Sequence, residues 1–139
     1  MKVLFSPIGM TDPVSQKNLN EGSLLNICRF YEPDKIYLYM SKEVMEFHEK
    51  DDRYIKCLER VYKYLGKNFE YEIIDRSELK EVQIFDFFYK EYRDILYRIH
   101  EENPGAKILL NVSSGTPAMK SALFVLCALF NFPMTPVQV

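Results

Sequence analysis

Short runs rich in β-branched and aromatic residues alternate along this chain with longer stretches whose apolar residues recur every three or four positions. That alternation predicts an α/β domain with a mostly parallel sheet and crossover helices on its faces. Five strands are read, from Lys2 to Ser6, Lys35 to Met40, Phe69 to Ile74, Lys107 to Asn111 and Met134 to Val139. Pro136 has no amide hydrogen to give to a ladder, which puts the fifth strand at a sheet edge.

The periodic stretches predict four helices. The first covers Ser23 to Tyr31 and stops before Pro33. The second runs from Lys42 to Leu65, with Ser41 offering an N-cap, a core stripe of Ile55, Leu58, Val61, Tyr62 and Leu65, and Gly66 closing it. The third spans Val82 to Glu101 with Ile84, Phe88, Tyr92, Ile95 and Ile99 facing the core, and Pro104-Gly105 ends it. The fourth starts at Pro117 and is apolar on nearly all sides through Phe130, so it is expected to be the most buried.

Ligands of open parallel sheets bind beyond the carboxyl ends of the strands, where the strand order reverses. With the order 3-2-1-4-5, strands one and four are neighbours at that point, and their following loops, SPIGMTDPVSQKNLNEGS and NVSSGTP, share one rim. The first is about 15 residues long, well beyond the 2 to 6 usual for such a connection, and long loops in compact domains tend to be functional. Gly9, Thr11 and Asp12 are its candidate ligand residues.

In the second loop Thr116 is placed as N-cap and Pro117 as first helical residue, so the amides of the Ser113 to Thr116 turn face outward at the positive end of a helix. That arrangement suits an anion. Gly115 is expected to open space for a phosphate, and Lys120 to add a cation one turn further on. The same residues also make a good helix cap, and only their place after a central strand, facing the first loop, favours a ligand site.

Composition narrows the ligand. The 139 residues fit one domain, and 47% hydrophobic with 14% aromatic residues excludes a disordered chain. A net charge of −2 argues against a protein that coats duplex DNA, so an anionic ligand has to be held locally. Cys28, Cys57 and Cys127 are odd in number and widely spaced, which suggests neither disulfides nor a metal site, and no cofactor is implied. With no apolar run of the ~18 residues that span a bilayer and no signal peptide, the expected location is cytoplasmic, away from membranes.

Other signals read as structure. Arg93 and His100 have the R-x6-H spacing of some metal-independent ribonucleases, yet fall on a crossover helix and read as surface residues. His48 sits in a charged, exposed segment, and Glu49, Asp51 and Asp52 lack the spacing of a calcium loop.

Together, VLFSPIGMTDP near the amino terminus and LLNVSSGTPAMKSAL after the fourth strand resemble the CARF domain (CRISPR-associated Rossmann fold) of the Csm-type ribonucleases that accompany type III CRISPR systems. The likeness covers residues 1 to 139. It implies a Rossmann-like sensor that forms a homodimer, binds a cyclic oligoadenylate across the two-fold axis and controls a C-terminal HEPN ribonuclease in antiviral defence. By motif match the ligand residues are Gly9, Thr11 and Asp12 from the first loop and Asn111, Ser113, Ser114, Gly115, Thr116 and Lys120 from the second. The HEPN domain of that family is absent from these residues, so RNA cleavage is not expected of them, and the Csm-type likeness favours a ring of six adenylates over four.

Two alternatives stand beside this reading. One is a metal-independent ring nuclease that sets a ribose 2′-hydroxyl in line with the adjoining phosphate, with Thr116 and Asp12 as catalytic groups. The other is a generic nucleotide-binding module.

Overall fold

The computed structural model describes residues 1–15, 19–79 and 84–139. Strands β1 (Lys2–Pro7), β2 (Lys35–Ser41), β3 (Glu70–Arg76), β4 (Lys107–Asn111) and β5 (Met134–Val137) form one parallel sheet in the order β3-β2-β1-β4-β5. This is the expected order, with Pro136 on an edge strand and the reversal between β1 and β4. Helices α1 (Ser23–Tyr31), α2 (Lys42–Asp51) and α3 (Arg53–Leu65) cover one face, and α4 (Phe85–Glu102) and α5 (Pro117–Leu129) the other.

Successive side chains of a strand point to opposite faces. In β1, Leu4 packs into the layer of Leu24, Ile27 and Leu58, whereas Val3 and Phe5 enter the layer of Tyr92, Leu96 and Leu123. A sheet covered on both faces favours strands with a continuous apolar run, such as VLF in KVLFSP and IYLYM in KIYLYMS. The second layer is built around aromatic rings, with Tyr92 edge-on to Phe5 at 5.2 Å and to Tyr39 at 4.9 Å.

Several expectations are corrected. The long second helix is two helices, because Asp52 adopts a left-handed backbone (φ 53°) and its amide closes α2 on the His48 carbonyl. Aspartate tolerates that conformation better than most residues. The break lets α2 bury Val44 and Met45 while α3 buries Tyr54, Ile55, Leu58, Val61 and Tyr62. Ser41 occupies the N-cap of α2 without a side-chain hydrogen bond. His48 is less exposed than its charged surroundings suggest, its side chain 18% accessible and its Nδ1 3.5 Å from Asp52.

Of the third helix, the expected start at Val82 lies outside the described residues. Ile84 is an exposed N-cap, and the core stripe is Phe88, Tyr92, Leu96 and Ile99. α5 is not the most buried helix: only Ala122, Leu123 and Leu126 are fully buried, while Phe124 is 43% and Leu129 64% exposed. Position outweighs composition in this case, because α5 packs on the β4–β5 end of the sheet and on α4, and among the described residues its opposite side, with Phe124 and Leu129, stays exposed.

Candidate functional site

β1 and β4 end side by side, and their loops meet. Asp12 links them. Its Oδ2 accepts from the Gly9 amide (2.9 Å) and the Ser114 hydroxyl (2.9 Å), and its Oδ1 from the Leu24 amide in the first turn of α1 (3.1 Å). The residue is 4% exposed, and burial raises the pKa of its carboxyl despite the opposing pull of those three donors. Asn111, fully buried, does the same work one step lower. Its Nδ2 donates to the hydroxyls of Ser6 (3.0 Å) and Ser23 (3.0 Å), and its Oδ1 accepts from the Ser113 amide (2.9 Å). Ser23 and Ser114 hydroxyls touch, closing a polar network from β1 through β4 to α1.

The remaining residues of the second loop shape its surface. Thr116 is the N-cap of α5, its hydroxyl accepting from the Met119 amide (3.4 Å), with Pro117 in the first turn as expected. Gly115 has φ 97°, a conformation that L side chains rarely adopt, and a Cβ there would lie 2.9 Å from Met119 Sδ and 3.3 Å from Pro7 Cβ. The backbone angle by itself therefore calls for glycine at this position. Gly9 packs onto this turn, a Cβ at Gly9 falling 3.3 Å from the Gly115 nitrogen. Among the described residues the Gly115 amide has no hydrogen-bond partner. The Ser113 hydroxyl accepts from the Val139 amide (2.8 Å). Thr11 is exposed and Lys120 half-buried.

A cavity of about 690 Å³ opens beside this junction, within the range of small-molecule sites. Of the nine predicted ligand residues Gly9 and Thr116 form part of its wall; Thr11, Asp12, Asn111, Ser113, Ser114, Gly115 and Lys120 do not. The rest of the lining was missed in the sequence. Met10, Leu79, Phe88 and Met119 give it apolar surface, and Tyr39, Lys42, Arg76 and Glu78 give it polar groups. A signal for these existed, since MSKE and DRSE span the ends of β2 and β3 at the same carboxyl edge that singled out the loops after β1 and β4. Within this wall Arg76 bonds to Glu91 (2.7 Å) and to Glu78, and the Tyr39 hydroxyl donates to Glu91. Burial first, and then Glu91, push the Tyr39 pKa up, so the proton stays on the tyrosine.

The ribonuclease-like pair is elsewhere. Arg93 pairs with Asp94 (3.2 Å) on the outer side of α4, and His100 stacks flat on Phe132 at 3.9 Å. Neither lines the cavity. Among the described residues no helix is long and apolar enough to cross a membrane.

The strand order, the paired loops at the reversal and the adjoining cavity define a Rossmann-like ligand-binding domain. Residues 70–139 match the family model of the Cas_Csm6 CARF domain, and the chain belongs to that family. It is 38% identical over 133 residues, 96% of its length, to the CRISPR system endoribonuclease Csm6 of Mycobacterium tuberculosis, and covers 30% of that protein. Over its whole length it is 34% identical to the CRISPR system endoribonuclease Csm6′ of Streptococcus thermophilus, covering 34% of it. The chain thus spans about a third of the length of these relatives. The structure of Enterococcus italicus Csm6 bound to cyclic hexa-2′-fluoro-hexa-dAMP superposes with a TM-score of 0.85 over the full chain, at 29% identity and 33% coverage of that protein.

Proposed function

We propose that this domain binds a cyclic oligoadenylate, with six members favoured over four, across a homodimer, and thereby controls a type III CRISPR-associated ribonuclease. The observation that carries the proposal is the cavity at the β1/β4 switch point, walled by Gly9 and the Thr116 turn. The likeness to a Csm6 solved with a cyclic hexanucleotide supports the choice of ring. The amino end of α5 lends the Thr116 side of the cavity a partial positive charge that suits a phosphate, and the apolar walls suit a base. A chain of net charge −2 attracts no polyanion by its overall field, so these local groups have to provide the attraction.

In this reading six of the nine motif residues take one of two parts. Asp12, Asn111, Ser114 and the Gly115 turn hold the loops in place from below, and Gly9 and Thr116 belong to the wall that meets the ring. Asp12 is the group that a ring-cleaving reading requires beside a ribose hydroxyl, and both its oxygens are committed to protein donors. The proposal is therefore binding. Calorimetric titration with cyclic hexa-adenylate, cyclic tetra-adenylate and linear hexa-adenylate tests it, and heat only from the linear strand, or from none, overturns it.

Gly115→Val and Thr116→Ala are each expected to weaken hexa-adenylate binding by roughly 1 to 3 kcal/mol, through a displaced turn in the first and a lost cap and hydroxyl in the second. Arg93→Ala and His100→Ala, away from the cavity, are expected to leave the titration unchanged.

The dimer follows from symmetry. A ring of four or six like nucleotides can have a two-fold axis, so two identical loop pairs would meet it equally. The uncovered side of α5, with Phe124 and Leu129, supplies apolar surface that one subunit leaves in water. Light scattering is expected to give twice the mass of the chain at micromolar concentration. A monomer with and without ring would rule out a shared site.

A further inference from the structure

We propose that Arg76 is the cation with which the cavity grips a phosphodiester of its ligand, and that Glu78 is an internal stand-in for that anion, displaced when the ligand arrives. The inference rests on the cavity being the ring site.

Arg76 is the last residue of β3, and its guanidinium stands in the cavity wall between two carboxylates of unequal character. Nη2 is 2.7 Å from Glu91, which is 14% exposed and also accepts from the Tyr39 hydroxyl. Tyr39 is itself buried in the aromatic layer with Phe5 and Tyr92. One edge of the guanidinium is thereby fixed to the core.

The other edge is held differently. Nη1 bonds to Glu78, whose side chain is 62% exposed and which belongs to the turn directly after β3. Exposed ion pairs are weak, because water solvates both partners and two long side chains must be held still. Nε of Arg76 is buried and lacks any partner among the described residues, so the fork has unused donor capacity inside the protein.

Charge shows which contact yields. One cation facing two carboxylates leaves the spot with a net charge of −1, which repels a phosphodiester. Releasing Glu91 would strand a carboxylate in the interior, whereas releasing Glu78 lets it swing into water. A phosphodiester oxygen then takes its place at Nη1, as a charge-assisted hydrogen bond to a guanidinium whose other side stays fixed to Glu91. Lys42 and Glu43, both on the same wall, offset each other, so Arg76 is the cation on which the attraction turns.

The alternative is that the Arg76–Glu78 pair merely braces the β3–α4 turn. The two roles predict opposite signs for one substitution. Under displacement, Glu78→Gln removes a competitor and tightens binding of cyclic hexa-adenylate, by about threefold to fivefold for an exposed pair. Under bracing, it loosens the turn and weakens binding. Arg76→Gln is expected to weaken binding more than about tenfold, and Arg76→Gln/Glu78→Gln to bind no better than Arg76→Gln alone.

The experiment is calorimetric titration of the wild-type chain and these three variants with cyclic hexa-adenylate at low salt, with thermal unfolding of each recorded in parallel. Loss of Arg76 leaves Glu91 uncompensated, so that variant can unfold. Glu78→Gln alters an exposed turn residue, and its sign decides the matter by itself. Tighter binding by Glu78→Gln, absent when Arg76 is also replaced, supports the displacement. Unchanged or weaker binding by Glu78→Gln, with the wild type binding normally, overturns this inference and leaves the ring site standing. A wild-type chain that binds no ring overturns both.

Discussion

Asp12→Ala is expected to unfold at a urea concentration corresponding to about 3 kcal/mol less stability than the wild type, and to lose more than tenfold in affinity for cyclic hexa-adenylate while still folded. The substitution strands three donors in a nearly dry place, namely the Gly9 amide, the Leu24 amide and the Ser114 hydroxyl. A buried donor left without its acceptor costs about 1 to 3 kcal/mol, and partial rearrangement keeps the sum below three full penalties. The effect on binding follows from what the carboxylate joins: the loop after β1, the start of α1 and the turn before α5 meet at this one group. Asp12→Asn retains one acceptor oxygen and is expected to fall between the two. An Asp12→Ala protein with wild-type stability and wild-type ring affinity would show that the loops are held by something else.

The same carboxyl has a pH signature. Burial raises its folded-state pKa above the ordinary 3.8, so the folded chain takes up this proton more readily than the unfolded chain. Its contribution to stability is complete below 3.8 and is lost as pH rises through the folded value. The stability of the wild type relative to Asp12→Asn is therefore expected to increase as pH falls from neutrality towards 4, measured by urea unfolding at each pH. A difference that shrinks over that range contradicts the sign.

The fold was legible in the sequence wherever a local pattern and a topological rule agreed. Runs such as IYLYM are unbroken by charge because both faces of the sheet are covered, and a loop of unusual length after β1 marked the place where the order reverses. The break at Asp52 was hidden, because the 3.6-residue repeat resumes at once in α3 and only the left-handed backbone of a single aspartate separates the two stripes. Exposure of α5 was hidden for a different reason. An apolar helix reads the same whether the domain itself or a partner is to cover it.

The candidate site was legible in position more than in role. Short polar residues following central strands identified the meeting of the two loops, yet Asp, Asn and Ser serve equally as ligand contacts and as the buried ties that Asp12, Asn111 and Ser114 are seen to be. Arg76 and Glu78 were passed over because an arginine and a glutamate at a strand end look like ordinary surface residues. Only the packing of Glu91 and Tyr39 behind Arg76, from α4 and β2, distinguishes them.

Gly22 carries the other large expected effect, at a position that the sequence presents as one more loop residue before a helix. It is the N-cap of α1 with φ −74°, so its conformation is open to any residue and space alone sets the requirement. A Cβ built there would stand 2.3 Å from Asp12 Oδ1, 2.6 Å from the Thr11 carbonyl oxygen and 3.0 Å from Asp12 Cα. Two of those three atoms are backbone, and the third is a carboxylate oxygen fixed by the Leu24 amide, so no flexible side chain can give way. The Gly22 amide also donates to the Pro13 carbonyl (2.9 Å), which pins the two stretches together. Gly22→Ala is accordingly expected to push Thr11 and Asp12 away from α1 and to destabilise the chain by about 2 to 3 kcal/mol, the upper part of the usual range for overpacking. Because the displaced residue is Asp12, ring affinity is expected to fall with stability, and combining Gly22→Ala with Asp12→Ala should cost less than the sum of the two changes. Urea unfolding of both single variants and the double variant measures this. Strict additivity, or a Gly22→Ala chain as stable as the wild type, would mean that the loop after β1 yields to the extra methyl group and is not held by Asp12.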